Sequence, residues 1–287
     1  MNILVTGANG QLGSEIKEVS KHKTDFRFFF KNSKELDITK SLLVENYILK
    51  NNINIVINCA AYTAVDKAET DIGKAKEVND LGVENLVLAL KKVNGKIIHI
   101  STDYVFNGES FIPYKEDSKV CPLGVYGKTK RGGEKHLLNA SIEGIVIRTS
   151  WLYSSFGNNF VKTILKLGEE RNELNVVCDQ IGSPTYAKDL AVVCLQLLTK
   201  IKLDSFSKIY HYSNEGVASW YDFAKAIILY GGIDCEIKPI ETKEYPTPAK
   251  RPSYSVMNTA KIKEDFNIEI PYWKDSLKSC IKELQKK

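Results

Sequence analysis

Tyr126 and Lys130 stand four residues apart at the opening of a stretch, Tyr126 to Ala140, whose apolar residues recur at three- and four-residue spacing. On a helix such neighbours share a face, one turn apart. A free tyrosine titrates near pH ~10, and an adjacent ammonium together with a helix N-terminus favours its phenolate. A tyrosine tuned in this way can pass a proton to a carbonyl oxygen as hydride arrives at the carbon. The Tyr-x-x-x-Lys spacing is common on surfaces and gains weight only from its companions. Ser101-Thr102-Asp103 closes the apolar run Ile97 to Ile100, at the kind of strand end where open α/β sheets bind ligands. A Thr102 hydroxyl there can hydrogen-bond a substrate oxygen and the tyrosine together, although a plain turn residue also fits this place.

Gly7, Gly10 and Gly13 of GANGQLG lie between the apolar run Ile3 to Val5 and a helical stretch that begins at Gln11. Glycine accepts positive φ and lets backbone approach a pyrophosphate, which the free N–H groups of a helix N-terminus then attract. The spacing is GxxGxxG, the form found in short-chain dehydrogenases, rather than GxGxxG. Glycine turn, hydroxyl and Tyr-x-x-x-Lys in this order point to carbonyl reduction with a nicotinamide dinucleotide. After the second apolar run come Lys31, Asn32 and Ser33, with no carboxylate directly there to bind two ribose hydroxyls, although Glu35 is close. A lysine at this place favours a 2′-phosphate, so NADPH is the expected cofactor, with NADH also accepted. Asp37 and Ile38 are a second expected contact, because an aspartate in this loop can accept from the adenine amino group. Asp37 or Thr39 could equally cap the helix that begins near Ser41.

These residues need a scaffold that gathers them. Ile3 to Val5, Phe26 to Phe30, Ile53 to Ile57, Ile97 to Ile100 and Ile145 to Ile147 are short apolar runs of the kind buried in parallel strands. Between them Gln11 to Ser20, Ser41 to Lys50, Ala75 to Lys92 and Tyr126 to Ala140 show helical periodicity. The alternation predicts an α/β fold, a Rossmann-like doubly wound parallel sheet with a smaller C-terminal substrate domain. The expected dinucleotide-binding domain is residues 1–150, completed by a return segment near 174–212; residues 151–173 and 213–287 form the substrate domain. Within the C-terminal part, strands are expected at Val176 to Cys178 and Ile209 to Tyr212, and helices at Asn159 to Glu170, Ala187 to Leu198, Ser219 to Tyr230 and Trp273 to Leu284.

The formal charge of +5 is spread along the chain, which calls for no nucleic-acid partner and suits a small anionic ligand. Six cysteines without a CxxC pair read as buried thiols in a reducing compartment. No leader or membrane-length apolar run is found, so a soluble cytoplasmic protein with no membrane partner is expected.

NCAAYTAVDKAE (Asn58 to Glu69), STDYVFNG (Ser101 to Gly108), VYGKTK (Val125 to Lys130), RTSWLY (Arg148 to Tyr153), GNNFVKT (Gly157 to Thr163), DQIGSPT (Asp179 to Thr185) and RPSYS (Arg251 to Ser255) run in order along nearly the whole chain. Together they resemble the dTDP-4-dehydrorhamnose reductases, extended short-chain dehydrogenases that reduce the 4-keto group of dTDP-4-dehydro-L-rhamnose to give dTDP-L-rhamnose for cell-surface polysaccharide. The resemblance implies that Gly10, Gln11 and Leu12 hold the pyrophosphate, Asp37 and Ile38 the adenine side, and Ala60, Ala61 and Tyr62 the nicotinamide half. It makes Tyr126 the proton donor and Lys130 the residue that binds the nicotinamide ribose and tunes Tyr126. Thr102 and Asp103 would touch the sugar and Trp151 would flank it. For the diphosphate, Asn159 sits at the start of a helix after Gly157 and Asn158, and Arg251, with Lys250 beside it, offers a cation. Some relatives are described as holding Mg²⁺ between subunits through carboxylates. Glu15 could supply one, but Lys188 stands where a second acid is wanted, so no essential metal is expected; a homodimer is compatible with the reading.

Two rivals follow from the same fold. A non-catalytic dinucleotide-binding regulatory subunit, like that of methionine adenosyltransferase, would bind cofactor without turnover. A nucleotide-sugar dehydratase or epimerase would share the core, but dehydratases place Asp-Glu directly after the catalytic threonine, whereas Thr102 is followed by Asp103 and Tyr104. A reductase giving the 6-deoxy-talose epimer is the nearest variant.

Overall fold

The computed structural model describes residues 1–200 and 207–286. In chain order, β1 (Asn2–Thr6), α1 (Gln11–Val19), β2 (Arg27–Lys31), α2 (Ser41–Lys50), β3 (Ile55–Asn58), the short α3 (Val65–Ala68) and α4 (Ile72–Lys76), α5 (Gly82–Lys91), β4 (Lys96–Thr102), α6 (Val125–Asn139) and β5 (Gly144–Thr149) build the N-terminal half. There follow β6 (Leu152–Tyr153), α7 (Phe160–Glu170), β7 (Glu173–Val177), β8 (Ile181–Gly182), β9 (Thr185–Tyr186), α8 (Ala187–Lys200), β10 (Ser207–His211), β11 (Ala218–Ser219), α9 (Trp220–Gly231), β12 (Glu236–Ile240), α10 (Ala260–Phe266) and α11 (Trp273–Leu284).

Six strands form one parallel sheet in the order β10-β5-β4-β3-β1-β2. Strand side chains alternate between faces, and both faces are covered. Ile3 and Val5 of β1 pack with α1, α8 and α10 on one side, while Leu4 packs with α2, α5 and α6 on the other. The chain moves outward from β1 to β2 and returns to pair β3 on the far side of β1, which makes a topological switch point at the C-terminal ends of β1 and β3.

From the proposed return segment, α8 covers the sheet and β10 joins its edge; β7 pairs instead with β12, and residues 201–206 lie outside the described residues. A separate core gathers α7, α9 and α11 around Phe223, Ile227, Trp273 and Leu277. The three-proline stretch Tyr245 to Pro252 lies outside the named strands and α-helices.

The single helix expected over Ala75 to Lys92 is interrupted by a π-helical segment at Glu77–Leu81. This widened turn carries the wholly buried Asn79, whose side chain binds the backbone of Tyr62 and the Thr129 hydroxyl. The interruption thus ties the loop after β3 to α6.

Candidate active site

The C-terminal ends of β1, β3, β4 and β5 border one cleft of about 880 Å³. At its β1 side Gly7 adopts φ +64°, a left-handed conformation that glycine takes without strain. The first bond of α1 runs from Ser14 N to Gly10 O at 2.9 Å, so the amides of Gln11, Leu12 and Gly13 have no intrahelical acceptor. Gly7, Gly10, Gln11, Leu12 and Gly13 line the cleft. A bare backbone turn opening onto a helix N-terminus fits a pyrophosphate, both by its N–H donors and by the sign of its dipole.

Across the switch point, Ala60, Ala61 and Tyr62 form the facing wall. Asn58 fixes their loop: its Oδ1 accepts from Thr6 Oγ1 at 2.6 Å and from Ala60 N at 3.2 Å, and its Nδ2 lies 3.0 Å from His99 Nδ1. The Tyr62 hydroxyl donates to Asp71 Oδ2 at 3.2 Å. Asp37 and Ile38 line the outer end. Asp37 Oδ1 accepts from Thr39 N at 3.0 Å and Thr39 Oγ1 at 2.8 Å, so its carboxylate stabilises its own turn. Burial alone would raise that carboxyl, but the Thr39 bonds and nearby lysines outweigh it and hold it below the usual range.

Lys31 is not brought to this end. It lies 3.7 Å from Glu35 with its ammonium 5.7 Å from the centre of the Tyr47 ring, on the α2 side of the sheet, and it is absent from the cleft wall. Asn32, Ser33 and Lys74 line the wall instead.

Thr102, Asp103, Tyr126 and Lys130 meet at the end of β4. Lys130 is 2% exposed and donates through Nζ to the Ile100 carbonyl at 2.6 Å. Burial pulls its ammonium down to about 8, against the opposing field of Glu134 one turn further along α6. Burial also lifts the Tyr126 phenol well above its ordinary value, with a Thr102 hydrogen bond working the other way. The Thr102 hydroxyl has a single proton, directed at Asp103 Oδ1 at 3.0 Å, while its oxygen accepts from Tyr104 N at 3.2 Å. Burial pushes the Asp103 carboxyl up to about 6, opposed by hydrogen bonds from the Thr102 and Ser255 hydroxyls.

At the end of the cleft away from Asp37, Trp151 holds φ +48° and stacks on Trp220 with 3.7 Å between ring centres. Arg251 is clamped by Tyr104 Oη at 3.0 Å and Asp66 Oδ2 at 2.6 Å, and the Tyr104 ring meets Tyr126 edge-on at 5.5 Å. Asn159 also borders the cleft, but its amide is occupied: Oδ1 caps α7 through Lys162 N at 3.2 Å and Nδ2 donates to Ser154 O at 2.7 Å. Lys250 is exposed and outside the lining. Glu15 is buried and accepts from Ser154 Oγ at 2.6 Å, while Lys188 pairs with Glu283. Among the described residues no group of His, Cys, Asp and Glu is arranged to hold a metal ion.

Several participants escaped the sequence reading. Trp220 has no signal beyond its place after the Ser219 cap, and Asp66 and Tyr104 lie inside quoted segments without standing out by type. Beneath the site, Glu134 of α6 accepts from Ser101 Oγ at 2.6 Å, from Arg131 Nη1 at 2.6 Å, and from Arg148 Nε and Nη2 at 2.9 Å each. This buried network locks α6 to β4 and β5. Only contact between distant segments reveals it.

Sheet order, ligand crevice and the Thr102, Tyr126, Lys130 group define a short-chain dehydrogenase/reductase of the extended kind, with a further lobe walling the cleft. The family model for the RmlD substrate binding domain matches residues 1–286. A curated dTDP-4-dehydrorhamnose reductase of Aggregatibacter actinomycetemcomitans is 42% identical, covering 96% of this chain and 97% of its own. The crystal structure of a dTDP-4-dehydrorhamnose reductase from Clostridium acetobutylicum is 43% identical, with a TM-score of 0.95 over 99% of this chain and 100% of that one. A Bacillus anthracis dTDP-4-dehydrorhamnose reductase, solved in complex with NADP, is 38% identical with a TM-score of 0.93, covering 98% of this chain and 99% of that one. The chain belongs to the dTDP-4-dehydrorhamnose reductase family.

Proposed function

We propose that the protein reduces the C4 keto group of dTDP-4-dehydro-L-rhamnose to dTDP-L-rhamnose, with NADPH as the preferred reductant, in the synthesis of a cell-surface polysaccharide. The observation that carries this reading is one continuous cleft. It is lined at one end by the α1 turn, in the middle by Thr102, Tyr126 and Lys130, and at the other end by Asp103, Trp151 and Arg251.

When bound, the reduced nicotinamide supplies the hydride. The α1 amides and Gly10 hold the pyrophosphate, and Ala60, Ala61 and Tyr62 flank the nicotinamide half. Tyr126 gives its phenolic proton to the sugar O4, so that hydride and proton together complete the reduction. As that proton leaves, the Thr102 hydroxyl turns from Asp103 toward Tyr126 and donates to the phenolate. Lys130, dry and fixed on the Ile100 carbonyl, stands one helical turn along α6 from Tyr126 and binds the nicotinamide ribose. Asp103 borders the sugar, Trp151 covers the ring, and Arg251 offers the diphosphate a cation that Tyr104 and Asp66 keep in place.

Binding energy from the remote nucleotide orients the sugar, so the free keto-sugar is a very poor substrate. Purified protein should oxidise NADPH only when the dTDP-keto-sugar and an active 3,5-epimerase are both supplied, with dTDP-L-rhamnose identified by NMR. No cofactor consumption under these conditions overturns the reading; a talose product corrects the substrate pose. The reading also places the enzyme in the cytoplasm, which is supported by six unpaired cysteines. Three of these thiols are buried and Cys121 is exposed, so the expectation of uniformly buried thiols is too broad. Among the described residues no helix is long and apolar enough to cross a membrane.

A further inference from the structure

We infer that Lys74, and not Lys31, is the residue that selects the 2′-phosphate of NADPH. The inference rests on the NADPH-dependent reading above. Among the described residues, the cations in the cleft wall are Lys74, Lys130 and Arg251. Lys130 is fixed on the Ile100 carbonyl in the reactive centre, and Arg251 is clamped between Tyr104 and Asp66 at the sugar end. Lys74 is therefore the cation at the outer end. It rises from α4 toward Asp37, whose carboxylate feels its charge, and it shares that wall with Asn32 and Ser33.

Its own protein partner is weak. Lys74 Nζ lies 3.2 Å from Glu77 Oε2, one turn along, with 48% and 54% of the two side chains exposed. An exposed pair of this kind contributes little and exchanges readily for a phosphate dianion. Asn32 is turned to assist: its Oδ1 accepts from the amides of Lys34 at 2.9 Å and Glu35 at 3.2 Å, which leaves its amide N–H groups to donate. Lys31, by contrast, is held by Glu35 and the Tyr47 face outside the wall. A 2′-phosphate close to Asp37 needs a neighbouring positive charge, and Lys74 supplies it.

The test uses the intact protein and calorimetric titration with adenosine 2′,5′-bisphosphate and with 5′-AMP, which isolates the 2′-phosphate from turnover and from the sugar. Wild type binds the bisphosphate more tightly. Lys74→Gln should lose roughly tenfold for the bisphosphate with little change for 5′-AMP, as expected for one charge-assisted contact; Lys31→Ala should keep the wild-type ratio. Unchanged bisphosphate binding by Lys74→Gln, or an equal loss for both ligands, overturns the assignment while leaving the NADPH reading intact. A loss confined to Lys31→Ala returns the selection to Lys31. Equal wild-type affinity for the two ligands overturns both the assignment and the preference for NADPH.

Discussion

Tyr126 and Lys130 show how one buried setting moves two groups in opposite directions. Burial disfavours the charge on each, so it raises the phenol and lowers the ammonium to about 8. The phenol is thereby kept protonated, the state that the proposed proton transfer requires of it. Replacing Tyr126 by Phe removes the donor atom and leaves the ring that packs edge-on against Tyr104. General acid catalysis is typically worth ~10²–10⁴-fold, so kcat for Tyr126→Phe should fall at least about a hundredfold. Cofactor affinity, read by titration, should change little. A variant that keeps most of its turnover would remove Tyr126 from the mechanism.

Helix α6 can place these side chains only because it lies unusually close to its neighbours. A Cβ at Gly127 would stand 2.2 Å from the Tyr104 carbonyl oxygen, a backbone atom that cannot swing aside. The helix would have to move outward, taking Tyr126 and Lys130 with it. Gly127→Ala should gain about 1 kcal/mol in helix propensity and yet destabilise the protein by about 1–3 kcal/mol from overpacking. Its kcat should fall more than its cofactor affinity, since the α1 turn is untouched. Chemical denaturation beside steady-state kinetics checks both halves, and a stabilised, fully active variant would show that the close approach has no catalytic consequence.

Across the whole molecule, the sheet is held by polar groups that are costly to bury unless paired. Burial alone would raise the Glu134 carboxyl, but hydrogen bonds from Arg148, Ser101 and Arg131 outweigh it and hold the group below the usual carboxylate range. His99 and His211 are kept neutral by burial, His99 far below its ordinary value and His211 at about 3. The unfolded chain takes up protons on these histidines below pH ~6.5 and the folded chain does not, so stability falls as the pH drops through that range. Each histidine contributes a slope of about 1.4 kcal/mol per pH unit. Glu134 steepens the loss at lower pH, where its unfolded carboxylate protonates first. Urea midpoints measured from pH 7.5 to pH 4.5 should fall continuously on acidification; a flat profile would mean that both histidines are solvated in the native state, and half the slope that one of them is.

The sequence alone determined the order of strands and helices in the N-terminal half, because a strand buried on both faces must be apolar throughout and a covering helix must repeat every three to four residues. It also singled out the glycine turn, Thr102 and the Tyr126/Lys130 pair, which the structure brings to one cleft and which residue type at short spacing makes readable. The C-terminal half was legible in α7, α8, α9, α11, β7 and β10 but not in β12 or α10, and nothing local says that β10 joins the main sheet while β7 pairs with β12. The π-helical turn at Glu77–Leu81 was hidden for the same reason, since its cause is Asn79 reaching Tyr62 and Thr129, which are 17 and 50 residues away. Lys31 was misplaced because a side chain at a strand end can turn to either face, and a nearby ring and carboxylate drew it to α2. Residue type and period fix what a segment can do; which distant segments meet, and therefore which cation faces the cleft, is decided only when the chain closes on itself.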